Sequence, residues 1–249
     1  MEPIRHTDDR SDAASGPRQG APGQELHPHR GDWLREVVFG LNDGLVTTLV
    51  FIMTVSGVAA HSMIIVLIAL SEVAAGSVSM ALGGYLSAQT EREVLQRRIA
   101  TEAYEIEHEP EEERAELRAI YREKGLQDPL LDQVVGQLTA DRRRWLRALM
   151  RDEHGIIEEA PRRPPWQQGL QIGAAFLLGG LIPTLPFLLQ LPDPRLWAYG
   201  VTALVAFELG LFKARYTIRG PVRSALEFLA IVTVGTLAGI VLGMLLHAV

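Results

Sequence analysis

The stretch "VVFGLNDGLVTTLVF", residues 37–51, places an asparagine and an aspartate inside an otherwise apolar run. With its flank the run covers residues 37–60, and about 20 mostly apolar residues are enough to span a bilayer. An ionised carboxylate inside hydrocarbon costs about 2.5–3.5 kcal/mol on insertion scales, so it tends to persist where it has a function. Asp43 is therefore the first candidate site residue of a membrane helix.

Four further apolar runs follow the first one along the chain. Each is long enough to cross a bilayer as a helix of about 20 residues, or nearly so. Five spans are predicted in all, at residues 37–60, 63–86, 170–191, 196–212 and 225–249. The predicted fold class is an all-α integral membrane protein with five transmembrane helices.

Basic residues in the short flanks predict the orientation of these spans. Five arginines precede the first span and four Lys or Arg residues separate the fourth from the fifth, whereas the turn after the third span holds only Arg195. Short loops rich in Lys and Arg stay on the cytosolic side. We therefore expect the N-terminus and the large central segment to face the cytosol.

Polarity then divides the chain into four regions. Residues 1–31 are rich in Gly, Pro and charge, lack an apolar signal core, and are predicted to form a disordered cytosolic tail. The tail has three histidines that could bind metal weakly, namely His6, His27 and His29. A tail without a metal site is the preferred interpretation. The other predicted regions are spans one and two (32–90), a cytosolic helical domain (91–163) and spans three to five (164–249).

Composition excludes several classes of function. The chain of 249 residues has a formal charge of −6 and no cysteine, which removes disulfide frameworks, thiolate metal sites and cysteine nucleophiles. No Walker motif or Gly-rich phosphate loop is present, so ATP-driven transport is not expected. An intramembrane aspartyl protease would need two aspartates in the membrane, and only Asp43 is there.

The central segment is helical in its periodicity and predicts three helices. The second span has no stop signal at its cytosolic end and is expected to continue as one long helix to Pro110, which opens the next helix. Gly125 ends that second helix, and Asp128-Pro129 opens a third one that runs through "DRRRWLRALMRDEHG". These three helices form the predicted cytosolic module.

Residues 99–116 contain eight glutamates and a single basic residue, Arg114. Glu102 and Glu105 share one helix face, as do Glu113 and Glu116, and clustered carboxylate oxygens suit hard cations. The alternative is an acidic surface neutralised by the arginines of residues 141–147, since charge runs usually form solvated faces. Glu105-x-x-His108 also resembles half of a di-iron motif, but no second half is evident.

The second span carries its own acid, Glu72. Counted at 1.5 Å per residue, Asp43 lies about 12 Å below the cytosolic surface and Glu72 about 15 Å below the other one. Both acids are thus expected near mid-membrane on adjacent helices, with Met80 as a soft ligand two turns nearer the cytosol. A cation path is preferred over the alternative, two protonated acids bonded for structure alone. Gly235, Gly239 and Gly243 form a packing face that would suit either a dimer or the chain itself.

The strings "REVVFGLNDGLVTTL", "SEVAAGSVSMALGGYLSAQTE" and "ALMRDEHG", with the Glu-rich helices between them, resemble the vacuolar iron transporter family. The similarity covers residues 30–249. It implies a five-span homodimer with a cytosolic three-helix metal-binding module. It also implies export of ferrous iron and related divalent ions from the cytosol in exchange for protons.

The same resemblance assigns roles to individual residues. Asp43, Glu72 and Met80 match the translocation path of the family. The cytosolic metal site is matched by Glu102, Glu105, Glu113, Glu116, Glu153 and Met150. Where the family can show paired methionines, this chain has Leu149-Met150, so one soft ligand is lost. Selectivity for ferrous iron over Mn²⁺ is then in question, and the neighbouring His154 is a candidate to compensate.

The resulting hypothesis is a proton-coupled exporter of Fe²⁺, and of Mn²⁺ or other divalent metals, without organic cofactor, enzymatic activity or nucleic-acid partner. Its partners are metal ions, protons, the lipid bilayer and a second copy of the chain. Its Ala/Arg-rich character favours a bacterial plasma membrane over a vacuolar one. The alternatives are a membrane-anchored di-iron ferroxidase using the Glu cluster with His108, and a metal buffer or sensor that does not transport.

Overall fold

The computed structural model describes residues 30–57, 62–156 and 163–248, and this part of the chain forms eight helices and no strand. The predicted N-terminal tail with its three histidines lies outside the described residues, apart from the first two positions of the first helix. The helices are α1 (Arg30–Ser56), α2 (Ser62–His108), α3 (Pro110–Glu123), α4 (Leu130–Thr139), α5 (Arg142–Asp152), α6 (Pro165–Leu188), α7 (Pro194–Ala214) and α8 (Pro221–His247).

Five of these helices, α1, α2, α6, α7 and α8, are long and apolar enough to cross a membrane, as the hydropathy pattern predicts. Helix α2 continues without a break from its apolar half into the Glu-rich segment and contains 47 residues. At 1.5 Å per residue it is about 70 Å long. The prediction of one continuous helix across this boundary is therefore confirmed.

Helix α6 packs against both α1 and α2 at backbone distance. A Cβ added at Gly44 of α1 would lie 2.2 Å from the carbonyl oxygen of Phe176, and one added at Gly169 of α6 would lie 2.3 Å from the carbonyl oxygen of Ala81. No real side chain fits at such distances, so glycine alone allows these contacts. Small residues at helix interfaces are the usual means of close packing in membranes, where burial of apolar surface gives little driving force.

The glycine stripe of α8 packs inside the chain. Cβ atoms added at Gly239 and Gly243 would each lie 2.7 Å from a carbonyl oxygen of α1, those of Val50 and Thr54 respectively. The Thr54 hydroxyl also donates to the carbonyl of Gly239 at 3.2 Å. Of the two possibilities left open by the sequence, this face serves intramolecular packing between α1 and α8.

The helices that follow α2 correct one prediction. The expected third helix is two helices, α4 and α5, because Asp141 takes an extended conformation and its side chain accepts a hydrogen bond from the Arg144 amide at 2.9 Å. An aspartate in that position is an N-cap that starts a new helix. The segment after α2 therefore contains three helices of its own, and its apolar core includes Leu117, Trp145 and Leu149.

Glu227 near the start of α8 forms an ion pair with Arg219. Lys213 lies over the ring of Phe228, 5.3 Å from the ring centre. Both contacts keep charge at the end of the helix pair α7 and α8.

Replacing Gly44 with alanine should destabilise the protein. The added methyl group would meet the Phe176 backbone, and overpacking of this kind costs about 1–3 kcal/mol. We expect the unfolding temperature of Gly44→Ala in detergent to fall below that of wild type. Gly83→Ala is the matched control, because a Cβ at Gly83 meets nothing within 4 Å in the chain. Equal unfolding temperatures for the two variants would contradict the packing described here.

Candidate functional site

Of the two acids in the membrane helices, Glu72 contacts the neighbouring helix, whereas Asp43 bonds within its own helix. The Thr48 hydroxyl on α1 donates a hydrogen bond of 2.7 Å to Oε2 of Glu72 on α2. On the same helix as Thr48, the Thr47 hydroxyl donates to Oδ1 of Asp43 at 3.3 Å. Each of the two acids that the sequence singled out in the membrane helices thus accepts a hydrogen bond from a threonine of α1.

Glycine makes room for this contact. A Cβ at Gly180 of α6 would lie 2.7 Å from the Thr48 hydroxyl and 2.7 Å from the side chain of Val73. Helix α6 therefore closes directly over the junction of α1 and α2 beside Glu72. Thr48 itself is fully buried, which leaves the Glu72 carboxylate as the acceptor for its hydroxyl.

Two other side chains near the membrane acids, Met80 and Asn42, have ligand atoms without polar contacts among the residues that the structure describes. Met80 lies two turns after Glu72 on α2 and is half-buried, with no polar contact to either acid in the described parts of the chain. The side-chain oxygen of Asn42, next to Asp43, is buried and has no hydrogen-bond partner within the described ranges. An amide oxygen and a thioether sulfur thus remain available on the two helices that carry the acids.

The second group of acids lies where α2, α3 and α5 meet beyond the membrane spans. Glu102 of α2 and Glu113 of α3 are both only 6% exposed. Each has one carboxylate oxygen that is buried and lacks a partner among residues 30–57, 62–156 and 163–248. Buried carboxylates are normally paired or bound to metal, because the desolvation of an unpaired one is expensive. Two buried carboxylates that each keep an unpartnered oxygen are therefore unusual for a purely structural surface.

The electrostatics of Glu113 show which acids surround it. Burial, followed by repulsion from Glu102, Glu116, Glu105 and Glu153 in that order, raises the pKa of Glu113 to about 7. The pKa of Glu153 is raised as well, by burial and then by repulsion from Glu102 and Glu116. The five carboxylates that the sequence singled out on three different helices thus form one mutually repelling cluster.

His154 lies at the edge of the same cluster. Its Nε2 is 2.7 Å from Oε1 of Glu102 and 3.6 Å from Oε1 of Glu153. One ligand atom from each of these three residues lies within 4.8 Å of the others. Imidazole and carboxylate groups at such spacing can bind a divalent metal ion.

Glutamates outside the cluster have basic partners. Arg142 of α5 forms an ion pair with Glu107 at 2.7 Å, and Arg114 forms one with Glu111 at 2.7 Å. The idea of an acidic surface neutralised by arginines therefore holds for the periphery. Within the described residues, neither Lys nor Arg forms an ion pair with the five clustered glutamates.

Asp152 and His108 also lie outside the cluster. Burial alone would raise the pKa of Asp152, but hydrogen bonds from Arg151, Lys124 and Tyr121 lower it to about 2, so this acid ties α5 to the end of α3. His108 is exposed, stacks on Tyr104 with ring centres 3.8 Å apart, and bonds through Nδ1 to the Tyr104 carbonyl. The half-motif Glu105-x-x-His108 is therefore not supported by the position of the histidine.

Met150 and Leu149 occupy the last full turn of α5 and are buried, Met150 being 2% exposed. Leu149 packs in the apolar core with Leu117 and Trp145. Met150 precedes Glu153 by three residues, a spacing that places both on one side of the helix. Its thioether is thus on the side of the chain that carries the cluster, although no polar contact of Met150 is found in the described regions.

Two contacts could not be predicted from the sequence, that of Thr48 with Glu72 and that of His154 with Glu102. Thr48 was not singled out, since nothing in its spacing from Asp43 shows which helix it faces. His154 was considered only as a neighbour of Glu153, and its contact with Glu102 crosses 52 positions of the chain. Its place just after a helix that carries Glu153 was the available signal.

Known proteins match this chain over most of its length. The model of the VIT family matches residues 34–244. The chain is 35% identical over 207 residues to vacuolar iron transporter 1 of Oryza sativa subsp. japonica, covering 81% of this chain and 82% of that protein. It is 35% identical over 205 residues to vacuolar iron transporter 1 of Arabidopsis thaliana, with 82% of each covered. A vacuolar iron transporter of Toxoplasma gondii is 27% identical over 204 residues, covering 78% of this chain and 68% of that protein. The resemblance seen in the sequence is confirmed: the chain belongs to the VIT family of vacuolar iron transporters.

Proposed function

We propose that this chain is a proton-coupled transporter that exports ferrous iron, and with it Mn²⁺ or other divalent metals, from the cytosol. The observation that carries the proposal is the hydrogen bond between Glu72 of α2 and Thr48 of α1, which holds one membrane acid against the helix that carries the other, Asp43. Family membership supports iron as the transported metal, since the relatives reported above are named iron transporters. The metal is the transported substrate, and transport is proposed to need no organic cofactor.

The acidic cluster is proposed to capture the ion on the cytosolic side. Its ligands would be Glu102, Glu105, Glu113, Glu116, Glu153 and Met150. Mutual repulsion and the unpaired buried oxygens of Glu102 and Glu113 make the metal-free state unfavourable. A divalent cation would relieve that repulsion, because carboxylate oxygens are the preferred ligands of hard cations. The thioether of Met150 would add a softer ligand that suits Fe²⁺ better than Mg²⁺.

Within the membrane, the ion is proposed to pass Met80 and then reach Asp43 and Glu72. A carboxylate in low dielectric is held most easily as the neutral acid or beside a cation. Metal binding would therefore release protons from the pair, and metal release would take protons up. This alternation couples metal movement to a proton gradient without a nucleotide.

The active form is proposed to be a homodimer. Thr47, which donates to Asp43, is exposed on the outside of the chain, so the acid-bearing face of α1 is not covered by the other helices. Exposure of that polar face to acyl chains would be costly. A second copy of the chain, packed on the same face of its own α1, would cover it and bring a second set of acids to the path.

The orientation and the host membrane complete the proposal. The basic residues between α7 and α8 and before α1 support a cytosolic N-terminus and a cytosolic metal-binding domain, residues 91–163, which includes the end of α2. A bacterial plasma membrane is proposed on the Ala/Arg-rich composition alone, and the relatives reported above come from eukaryotes.

The second candidate function is a membrane-anchored di-iron ferroxidase. One observation favours it: His154 supplies the imidazole that the carboxylate cluster lacks in the Glu-rich helices. The contact of His108 with Tyr104 speaks against it, since the expected Glu-x-x-His half-motif is not assembled. A metal buffer without transport would use the same cluster but leave Asp43 and Glu72 without a task.

Removing either membrane acid should abolish transport. In anaerobic proteoliposomes loaded with a metal-quenched dye, an imposed pH gradient should drive Fe²⁺ uptake by wild type, and reversing the gradient should reverse the flux. We expect Asp43→Ala and Glu72→Gln to give the flux of protein-free liposomes. Glu208→Gln is the control, because Glu208 is an exposed acid of α7 outside the path. Wild-type flux in Asp43→Ala would refute the path, and gradient-independent flux would refute proton coupling.

The ferroxidase alternative predicts oxygen consumption. Purified protein in detergent should bind Fe²⁺ without catalytic turnover of oxygen, measured with an oxygen electrode as Fe²⁺ is added in excess. Consumption that continues over many equivalents of iron and is lost in Glu102→Gln would favour the enzyme. Consumption equal to that of the buffer, with iron still bound, favours the transporter or the buffer.

Glu113→Gln should change stability in opposite directions with and without metal. Because the pKa of Glu113 in the folded protein is about 7 rather than 4.5, the folded state holds a proton through this interval and stability falls as pH rises from 4.5 to 7. In EDTA, the variant should therefore unfold at a higher temperature than wild type at pH 8 and show little advantage near pH 4.5.

Saturating Mn²⁺ at pH 8 should reverse this order, because wild type then gains a ligand that the variant has lost. Glu111→Gln is the control, since Glu111 is exposed and paired with Arg114. An equal response of both variants to metal would contradict the assignment of Glu113 as a ligand.

A further inference from the structure

The residue that stands out beyond the carboxylate cluster is His154. It follows the last helical turn of α5, where the Glu153 amide donates to the Leu149 carbonyl at 2.9 Å and the Ile156 amide donates to the Met150 carbonyl at 2.8 Å. Gly155 between them adopts φ +67°, a conformation that glycine takes most easily. This ordered turn holds the His154 backbone beside the cluster.

The imidazole directs a single nitrogen at two acids from different helices. Nε2 is 2.7 Å from a Glu102 oxygen and 3.6 Å from a Glu153 oxygen. Two ligands bound at about 2.1 Å to one ion stand about 3–4 Å apart. The present spacing therefore needs only a small widening toward Glu102 for the three groups to share an ion.

The carboxylates near His154 have oxygen atoms that could still bind a cation. The second oxygen of Glu102 is buried without a hydrogen-bond partner in the described parts of the chain, and so is one oxygen of Glu113, which repels Glu102. A hydrogen bond from His154 thus satisfies only one of the two Glu102 oxygens. A cation in this space would be attracted by both carboxylates.

We propose that His154 is a metal ligand of this site and biases it toward borderline ions such as Zn²⁺, Co²⁺ and Fe²⁺ over Mn²⁺. The proposal rests on the proposed function of the carboxylate cluster as a metal site and names the metals that it prefers. Imidazole nitrogen suits Zn²⁺ and Fe²⁺, whereas a site made only of carboxylate and water oxygens suits Mg²⁺, Ca²⁺ and Mn²⁺. One nitrogen in an oxygen-rich cluster therefore changes the order of preference.

A purely positioning role is the competing explanation. His154 would then serve only to hold Glu102 in place through their hydrogen bond. Glutamine at this position could still donate an N–H to Glu102 but is a poor ligand for Zn²⁺. The variant His154→Gln therefore separates the two roles, and His154→Ala removes both.

The test uses the full-length protein in detergent, stripped of metal and titrated separately with Zn²⁺, Co²⁺ and Mn²⁺ by calorimetry, with the Co²⁺ absorption bands as a second readout. We expect His154→Ala and His154→Gln to weaken Zn²⁺ and Co²⁺ binding at least about 10-fold, since even outer-shell partners of a metal ligand are worth 10–100-fold in affinity. Mn²⁺ affinity should change much less, and the Co²⁺ bands should shift.

His108→Ala is the matched control, because His108 is an exposed histidine of α2 that bonds to its own helix. It should bind all three metals as wild type does, and unfolding temperatures should confirm that every variant is folded. A wild-type ratio of Zn²⁺ to Mn²⁺ affinity in His154→Gln, or an equal loss for all three ions in His154→Ala, would overturn the proposal. Wild-type protein that binds none of the three ions would overturn the capture site as well, whereas tight binding that is indifferent to His154 would overturn this inference alone.

Discussion

The hydrogen bond from Thr48 to Glu72 can form only because three membrane helices approach one another at backbone distance. Glycine-lined faces of α1, α2 and α6 permit that approach, and Gly180 closes the space directly over the bond. A carboxylate in an apolar slab needs a polar partner, and a threonine on the neighbouring helix supplies it. Any wider separation of the helices would leave Glu72 without that partner.

Acids in this protein fall into two groups that differ in what faces them. Asp152, Glu107, Glu111 and Glu227 each pair with basic residues, and the pairs of Asp152 and Glu107 connect different helices. The five clustered glutamates face one another and His154. The charge-rich segment therefore contains a solvated surface, where acids are neutralised by basic residues, and a buried cluster, where carboxylates repel one another. The two interpretations that the sequence left open apply to different residues of the same helices.

Much of the fold could be predicted from the sequence because it depends on local composition. Five spans, the continuous α2 and the turn at Gly125 follow from apolar length, the absence of a stop signal and a residue that tolerates positive φ. The break between α4 and α5 was missed, since Asp141 lies within an unbroken helical periodicity and only its extended backbone reveals the cap.

The candidate sites were predictable only as residue types on helix faces. Glu102 shares a helix face with Glu105, and Glu113 shares one with Glu116. Because Pro110 separates the two helices by a short turn, the two pairs could be expected to lie near each other. The contacts of Thr48 with Glu72 and of His154 with Glu102 depend on how distant helices rotate about their axes, which periodicity does not determine.

The length of α2 has a mechanical consequence. Glu72 and Glu102 lie on the same unbroken helix, thirty residues or about 45 Å apart at 1.5 Å per residue. A stiff rod of this kind acts as a lever with one acid near each end. Drawing α3 and α5 onto an ion beside Glu102 would therefore load the same piece of backbone that carries Glu72.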